Sequence, residues 1–167
     1  MSMDMEQSYE DLLENAYDLP NGHAKLQLLE EAARIADSLG EIEAGYEIRG
    51  EIVETASFSG FPRTALVAFS WQLGQFDKNP EMYDEWNLLW SYKWVLGYIA
   101  SFPEIERSQI DELLEDMRRR YLEFGYSDYT YHYYKFVIAI DYGELDVAEK
   151  VLNQLKTMRR DDLSNCD

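Results

Sequence analysis

One cysteine, two histidines and four prolines are all that the 167 residues contain of those types. Each scarcity excludes something. A lone thiol, Cys166, cannot close an internal disulfide and has no second cysteine with which to hold zinc. A reducing, cytoplasmic setting is expected. His23 and His132 stand far apart, and neither belongs to an H-x-x-x-H or H-E-x-x-H pair. No metal site is expected. The longest apolar run is residues 94–100, WVLGYIA, far short of the roughly 20 residues a membrane span needs. The N-terminus, MSMDMEQSYEDLL, is acidic and lacks the basic start and apolar centre of a signal peptide. There is no G-x-x-x-x-G-K-[ST] loop, no G-x-G-x-x-G after a strand and no G-x-S-x-G elbow. Acid pairs such as Glu30/Glu31 and Asp161/Asp162 are too common here to single out a catalytic one. Acid–base work needs carboxylates in unequal, partly buried settings. A di-metal bundle would need Glu-x-x-His on two helices, and the chain has none. No catalysis and no cofactor are expected.

Positive charge is also scarce. Fifteen Lys+Arg face 33 Asp+Glu, for a net charge of -18. Such a surface repels nucleic-acid phosphates and anionic membranes, so neither is an expected partner. It favours a basic partner, or serves solubility alone. The one basic cluster, Arg118-Arg119-Arg120, is echoed by Arg159-Arg160. Cations near a helix C-terminus stabilise by a few tenths of a kcal/mol. Pairing with Glu115, Asp116 or Glu123 is also expected.

What is plentiful is hydrophobic residues, at 46%, and tyrosine, at 13. That suffices for one domain with a core. The apolar positions recur at helical spacing throughout, and Pro and Gly punctuate them. The spacing predicts a first helix over Met5–Leu19, stopped by Pro20-Asn21-Gly22. A second runs Ala24–Leu39 and ends at Gly40, where a left-handed residue is wanted. A third covers Glu41–Ser57, with Ile42 inward. Its Gly45 and Gly50 each cost about 1 kcal/mol against Ala, so a neighbour is expected close to the backbone there. Ser59-Gly60-Phe61-Pro62 turns into a fourth helix reaching Phe76. Pro80 opens a long fifth helix to Ser101. In the sixth, Ser108 and Asp111 resemble a capping box, and Gly125 closes it. Asp128–Tyr142 is read as a helix despite its alternating tyrosines, because Phe136, Val137, Ala139 and Ile140 continue at helical spacing. The eighth runs from Leu145 to Arg159, with Val147, Ala148, Val151, Leu152 and Leu155 inward. Residues 161–167 are a polar tail, expected to fray.

Short connections set consecutive helices antiparallel. The hairpins recur with a period of roughly 36 to 48 residues, as in helical solenoids. Gly60, Ala65 and Phe69 are spaced as in the tetratricopeptide repeat, and Gly143, Ala148 and Leu152 repeat that spacing. Ala32, Ala36, Leu39 and Gly40 are similar to the close of a longer-period unit. The chain thus resembles a tetratricopeptide-repeat protein with degenerate repeats. The third hairpin departs most: Ile110, Leu114 and Met117 stand where small residues belong. The resemblance implies an all-α, right-handed solenoid of about four hairpins filling residues 1–160. It also implies that the first helix of each hairpin lines a concave, peptide-binding surface.

Trp86, Trp90 and Trp94 recur at steps of four. Such a ladder fills a core stripe, or lines that surface. On the second reading the resemblance implies a groove offering Glu47 and Glu54, then Trp90 and Lys93, then Tyr129 and Tyr133. The function expected is a non-catalytic adaptor for a protein or peptide. An acidic inhibitor or mimic of immunity type, neutralising a basic partner, is the alternative, and a peptide or small-molecule sensor a minor third. With no evident solvating helix after the eighth, the chain is expected to self-associate or to be a piece of a longer repeat protein.

Overall fold

The computed structural model describes residues 8–164. Cys166 and the expected start of the first helix at Met5 lie outside them. All regular structure among the described residues is helical, with no strand. The contacts gather into two compact units, one up to Asp84 and one from Glu85.

The first unit holds α1 (Tyr9–Tyr17), α2 (His23–Leu39), α3 (Ile42–Ser59) and α4 (Pro62–Lys78), each packed on its neighbour in sequence. Ser8 caps α1 in a capping box with Asp11. Gly40 and Gly60 take φ of +75° and +80° and end α2 and α3 as expected. Pro62 opens α4, where its missing N–H is no loss. The core is rich in small residues: Ala16, Ala32, Ala33, Ala36, Ala56, Ala65 and Ala68 are buried beside Leu29, Val53 and Phe69. Small side chains let helix backbones approach closely. The two mid-helix glycines have the expected neighbours. A Cβ on Gly50 would lie 3.3 Å from Gln72 Nε2, which donates to the Tyr46 carbonyl at 2.9 Å. A Cβ on Gly45 would lie 3.2 Å from Asp37 Oδ1, and Asp37 accepts a two-point bond from Arg49.

The long fifth helix is corrected. Pro80–Met82 is a single 3-10 turn, Tyr83 is extended, and the helix starts only at Glu85. The Tyr83 ring stacks on Tyr46 of α3, 3.9 Å between centroids. That contact holds the chain extended where helix would otherwise continue.

The second unit holds α5 (Glu85–Ile99), α6 (Arg107–Glu123), α7 (Tyr129–Asp141) and α8 (Leu145–Leu155), again packed in sequence. The cap of α6 is Glu106 with Gln109, not Ser108 with Asp111. Buried Ile105 fixes the chain just before that cap. Gly125 and Gly143 are left-handed after α6 and α7. Helix α8 stops one turn short of Arg159, because the chain turns back. Asp162–Ser164 form a 3-10 turn whose Leu163 is fully buried. The expected fraying therefore fails over residues 161–164. Ile42, Val147 and Leu152, expected inward, are exposed, and so is Leu39 at the end of α2. Each flanks a buried stripe and is left without a covering element.

The tryptophan ladder is not the core stripe of α5. Leu88, Leu89, Tyr92, Val95, Leu96 and Ile99 are buried, while Trp86, Trp90 and Trp94 are half-exposed. The arginine cluster pairs as expected in two cases of three. Arg119 reaches Asp116 and Glu123, and Arg120 reaches Asp116. Arg118 instead pairs with Asp128. Glu115 accepts from Tyr131 Oη at 2.5 Å.

Candidate functional site

Two helices and one returning segment build a cavity of about 180 Å³ in the second unit. Lys93 enters from α5, four residues being Tyr129, Thr130, Tyr133 and Tyr134 from α7, while Arg160 and Ser164 follow α8. Spacing explains the α7 contribution, since positions i, i+1, i+4 and i+5 share a face. Packing on α8 explains its orientation: Tyr129 clusters with Val151 and Leu155, flanked by Phe136 and Met158.

Lys93 is only 5% exposed. Its Nζ donates to the Leu163 carbonyl at 3.0 Å and sits 3.7 Å from the centroid of the Trp90 ring. An ammonium over an aromatic face is held by the ring quadrupole. Tyr134 Oη donates to the Lys93 carbonyl at 2.9 Å, tying α7 to α5. Gly97, one turn on from Lys93, faces that ring: a Cβ there would lie 3.8 Å from it, in ordinary contact. Thr130 Oγ1 donates to the same Leu163 carbonyl at 3.1 Å. Arg160 lies over Tyr129, 4.8 Å from its centroid, and donates to its Oη at 2.8 Å. Tyr133 is 39% exposed and packs edge-on against Tyr134.

Four of the six residues expected to form a groove thus converge. Lys93, Tyr129 and Tyr133 line one cavity, and Trp90 lies beneath Lys93. Trp86 continues the aromatic surface, 5.9 Å from Trp90 and 6.1 Å from Tyr126. Glu47 and Glu54 belong to α3 in the first unit. There they flank half-buried Glu51, whose pKa is raised by burial first and by Glu54 next. Arg160, Thr130 and Ser164 were not expected at the site. Arg160 carried one sequence signal, its place in a basic pair.

Around the cavity, α7 carries two perturbed groups. Burial and the bond to Glu115 push the Tyr131 phenol up to about 12. Burial lowers the pKa of His132, against the pull of Asp128, whose Oδ2 is 3.4 Å away. The other histidine, His23, stacks on Phe61 in the first unit. What the cavity offers is aromatic surface, fixed cations and hydroxyls, a set suited to holding a ligand. Comparison with protein-family models, with curated proteins and with solved structures gives no match.

Proposed function

We propose that this chain is a non-catalytic module that docks a protein or peptide, and that the aromatic cavity of the second unit is its anchor point. The observation that carries the reading is the convergence of Lys93, Tyr129, Tyr133 and Arg160 on one cavity, with Trp90 under the lysine. Interfaces draw most of their energy from a few Trp, Tyr and Arg anchors. Tyr suits the task because it buries a ring and keeps a polar tip. On this reading the helices pair as α1/α2, α3/α4, α5/α6 and α7/α8 in a right-handed, tetratricopeptide-like solenoid working in the cytoplasm. The left-handed glycines at 40, 60 and 143 and the buried Ala65 and Ala148 support that pairing. A peptide library presented to the wild type, Trp90→Ala and Tyr133→Ala tests it, with helix content checked by circular dichroism. Selected peptides should lose at least about tenfold in affinity, or 1.4 kcal/mol, in each variant. Equal retention by both folded variants contradicts the reading.

A second reading rests on Glu47, Glu51 and Glu54, which lie at helical spacing on α3, where burial first, and Glu54 and Glu47 after it, hold Glu51 above its ordinary pKa against the pull of Lys25. A basic partner would relieve that repulsion, as expected of an acidic inhibitor. Salt separates the two. Charge-driven binding weakens steeply as ionic strength rises, and aromatic docking does so less.

A further inference from the structure

The segment that turns back after α8 is held as a docked peptide would be. Lys93 and Thr130, both buried, serve one main-chain atom of it. Lys93 Nζ donates to the Leu163 carbonyl at 3.0 Å and Thr130 Oγ1 at 3.1 Å. The Leu163 side chain is fully buried. The Asp161 carboxylate accepts from Ser127 N at 2.6 Å, in the turn before α7. Ser164 Oγ lies 3.4 Å from Ser127 Oγ. The other bonds close the segment on itself. Ser164 N and Oγ donate to Asp161 Oδ1 at 3.2 and 2.9 Å, and Asp161 N donates to Ser164 Oγ at 3.1 Å. The segment is thus a self-closed turn offering the body a carboxylate, an apolar side chain and a carbonyl. Open space flanks it on two sides. Arg160 and Ser164 wall the 180 Å³ cavity. Residues 159–162 wall a second cleft of about 590 Å³ against residues 125–127. A segment with space on two sides gives up less packing on leaving than one inside a helix seam.

We propose, on the reading of this cavity as the peptide anchor, that residues 161–164 are a displaceable strap over it, and that the partner is a peptide carrying the same Asp-x-Leu-Ser pattern. With the strap seated, about 180 Å³ is open, below the roughly 300 Å³ at which ligand pockets begin. With it lifted, the Leu163 slot and the Ser127 N–H join that space. An occupant must then restore what the strap supplied. Thr130 Oγ1 and Lys93 Nζ lose the Leu163 carbonyl, and a buried donor deprived of its acceptor is costly. A peptide carbonyl replaces that acceptor, and a purely apolar ligand does not. The charge at the site is conserved in the exchange. One peptide carboxylate takes the place of the Asp161 carboxylate beside Ser127 N. The neighbouring Asp128 keeps its pairing with Arg118 at 3.1 Å and its approach to His132 at 3.4 Å. Tethering gives the strap an effective concentration on the order of millimolar. A partner therefore displaces it by adding contacts, and half-exposed Trp90 and Tyr133 beside the strap are where those are made.

Fluorescence polarisation on the full chain tests this with a labelled, end-blocked peptide of residues 159–164, a twin with Ala in place of its Leu, and peptides selected on the wild type. The hosts are the wild type, Leu163→Ala and Asp161→Ala. Asp161→Ala leaves the apolar slot filled and carries the test if Leu163→Ala loses helix content. A site open a tenth of the time binds about tenfold more weakly. The 159–164 peptide should therefore bind the variants saturably and at least about tenfold more tightly than the wild type, and the twin should not. Selected peptides should gain in the same variants and compete with it. No saturable binding to the variants, equal binding to wild type and variants, or a twin that binds as well overturns the proposal. Selected peptides that need Trp90 and Tyr133 but bind the variants no better than the wild type, or do not compete, leave the anchor standing and overturn the strap. Selected peptides indifferent to Trp90→Ala and Tyr133→Ala overturn both.

Discussion

The two units close their helix seams by different chemistry. In the first, buried alanines dominate and Tyr46 is the one buried tyrosine among the described residues. In the second, Tyr92, Tyr121, Tyr129, Tyr131 and Tyr134 are all buried, and only Ala139 and Ala148 play the small-residue part. An alanine seam asks for nothing but close fit. A tyrosine seam must also satisfy a hydroxyl at each ring, because an unpaired buried polar group is costly. The second unit therefore draws polar groups inward. Tyr121 Oη donates to the Leu89 carbonyl at 2.8 Å, Tyr134 to the Lys93 carbonyl, and Tyr92 to Asp116. A cavity lined with hydroxyls and cations is a by-product of that way of packing. It explains why a polar cavity can form in the second unit where α5 and α7 meet the segment after α8.

Substitutions can break or sharpen this contrast. The largest effect is expected from Tyr121→Ala, which empties a fully buried ring and removes its bond to the Leu89 carbonyl. It should cost about 3–5 kcal/mol, read from urea unfolding. Tyr92→Phe keeps the ring but removes a donor from Asp116. That carboxylate is destabilised by burial, and the bonds from Tyr92, Arg119 and Arg120 more than offset this, leaving its pKa low. A loss of about 1.5–3 kcal/mol is expected for a bond to a charged group. Ala36→Leu in the first unit should cost about 1–3 kcal/mol by overpacking the seam. A silent Ala36→Leu would show that the alanine seam is loose, and the contrast would fail. Gly50→Ala should gain little alone, since the new Cβ meets Gln72 Nε2 at 3.3 Å. In a Gln72→Ala background the same change should stabilise by up to about 1 kcal/mol, the helix propensity difference.

The smallest effect is a pH dependence. His132 has a folded pKa below its unfolded value of 6.5, because burial disfavours the cation. Between those two values the unfolded chain holds more protons. Stability should therefore fall as pH drops below about 6.5, and the loss should level off beneath the folded pKa. Relative to His132→Asn, the wild type should be less favoured at pH 5.5 than at pH 7.5 in thermal unfolding. A constant difference contradicts the assignment.

Much of this was legible in the residues, and the reasons are local. Gly40, Gly60, Gly125 and Gly143 mark helix ends because only a left-handed position ends a helix that way, and that requirement acts within a few residues. Pro80 misled, since proline opens a 3-10 turn as readily as an α-helix. What decides between them is the stacking of Tyr83 on Tyr46, a contact 37 positions apart in sequence. The Ser108/Asp111 and Glu106/Gln109 pairs share one spacing, and buried Ile105 chooses between them. The cavity was half legible. Trp90, Lys93, Tyr129 and Tyr133 stand out as aromatic and basic positions on helices that share a register. Arg160, Thr130 and Ser164 join them only because Leu163 folds back into the core, and nothing in the polar run after α8 announces that burial.

Tryptophan offers the most direct test of where ligands dock, because Trp71 lies in the first unit beneath Arg49 and Trp90 in the second beneath Lys93. Indole N–H signals in a ¹⁵N spectrum, assigned by single Trp→Phe changes, would be followed as a selected peptide is added. The account predicts that the Trp90 signal moves in a saturable way while that of Trp71 stays fixed. A saturable shift of Trp71 with Trp90 unmoved would contradict it.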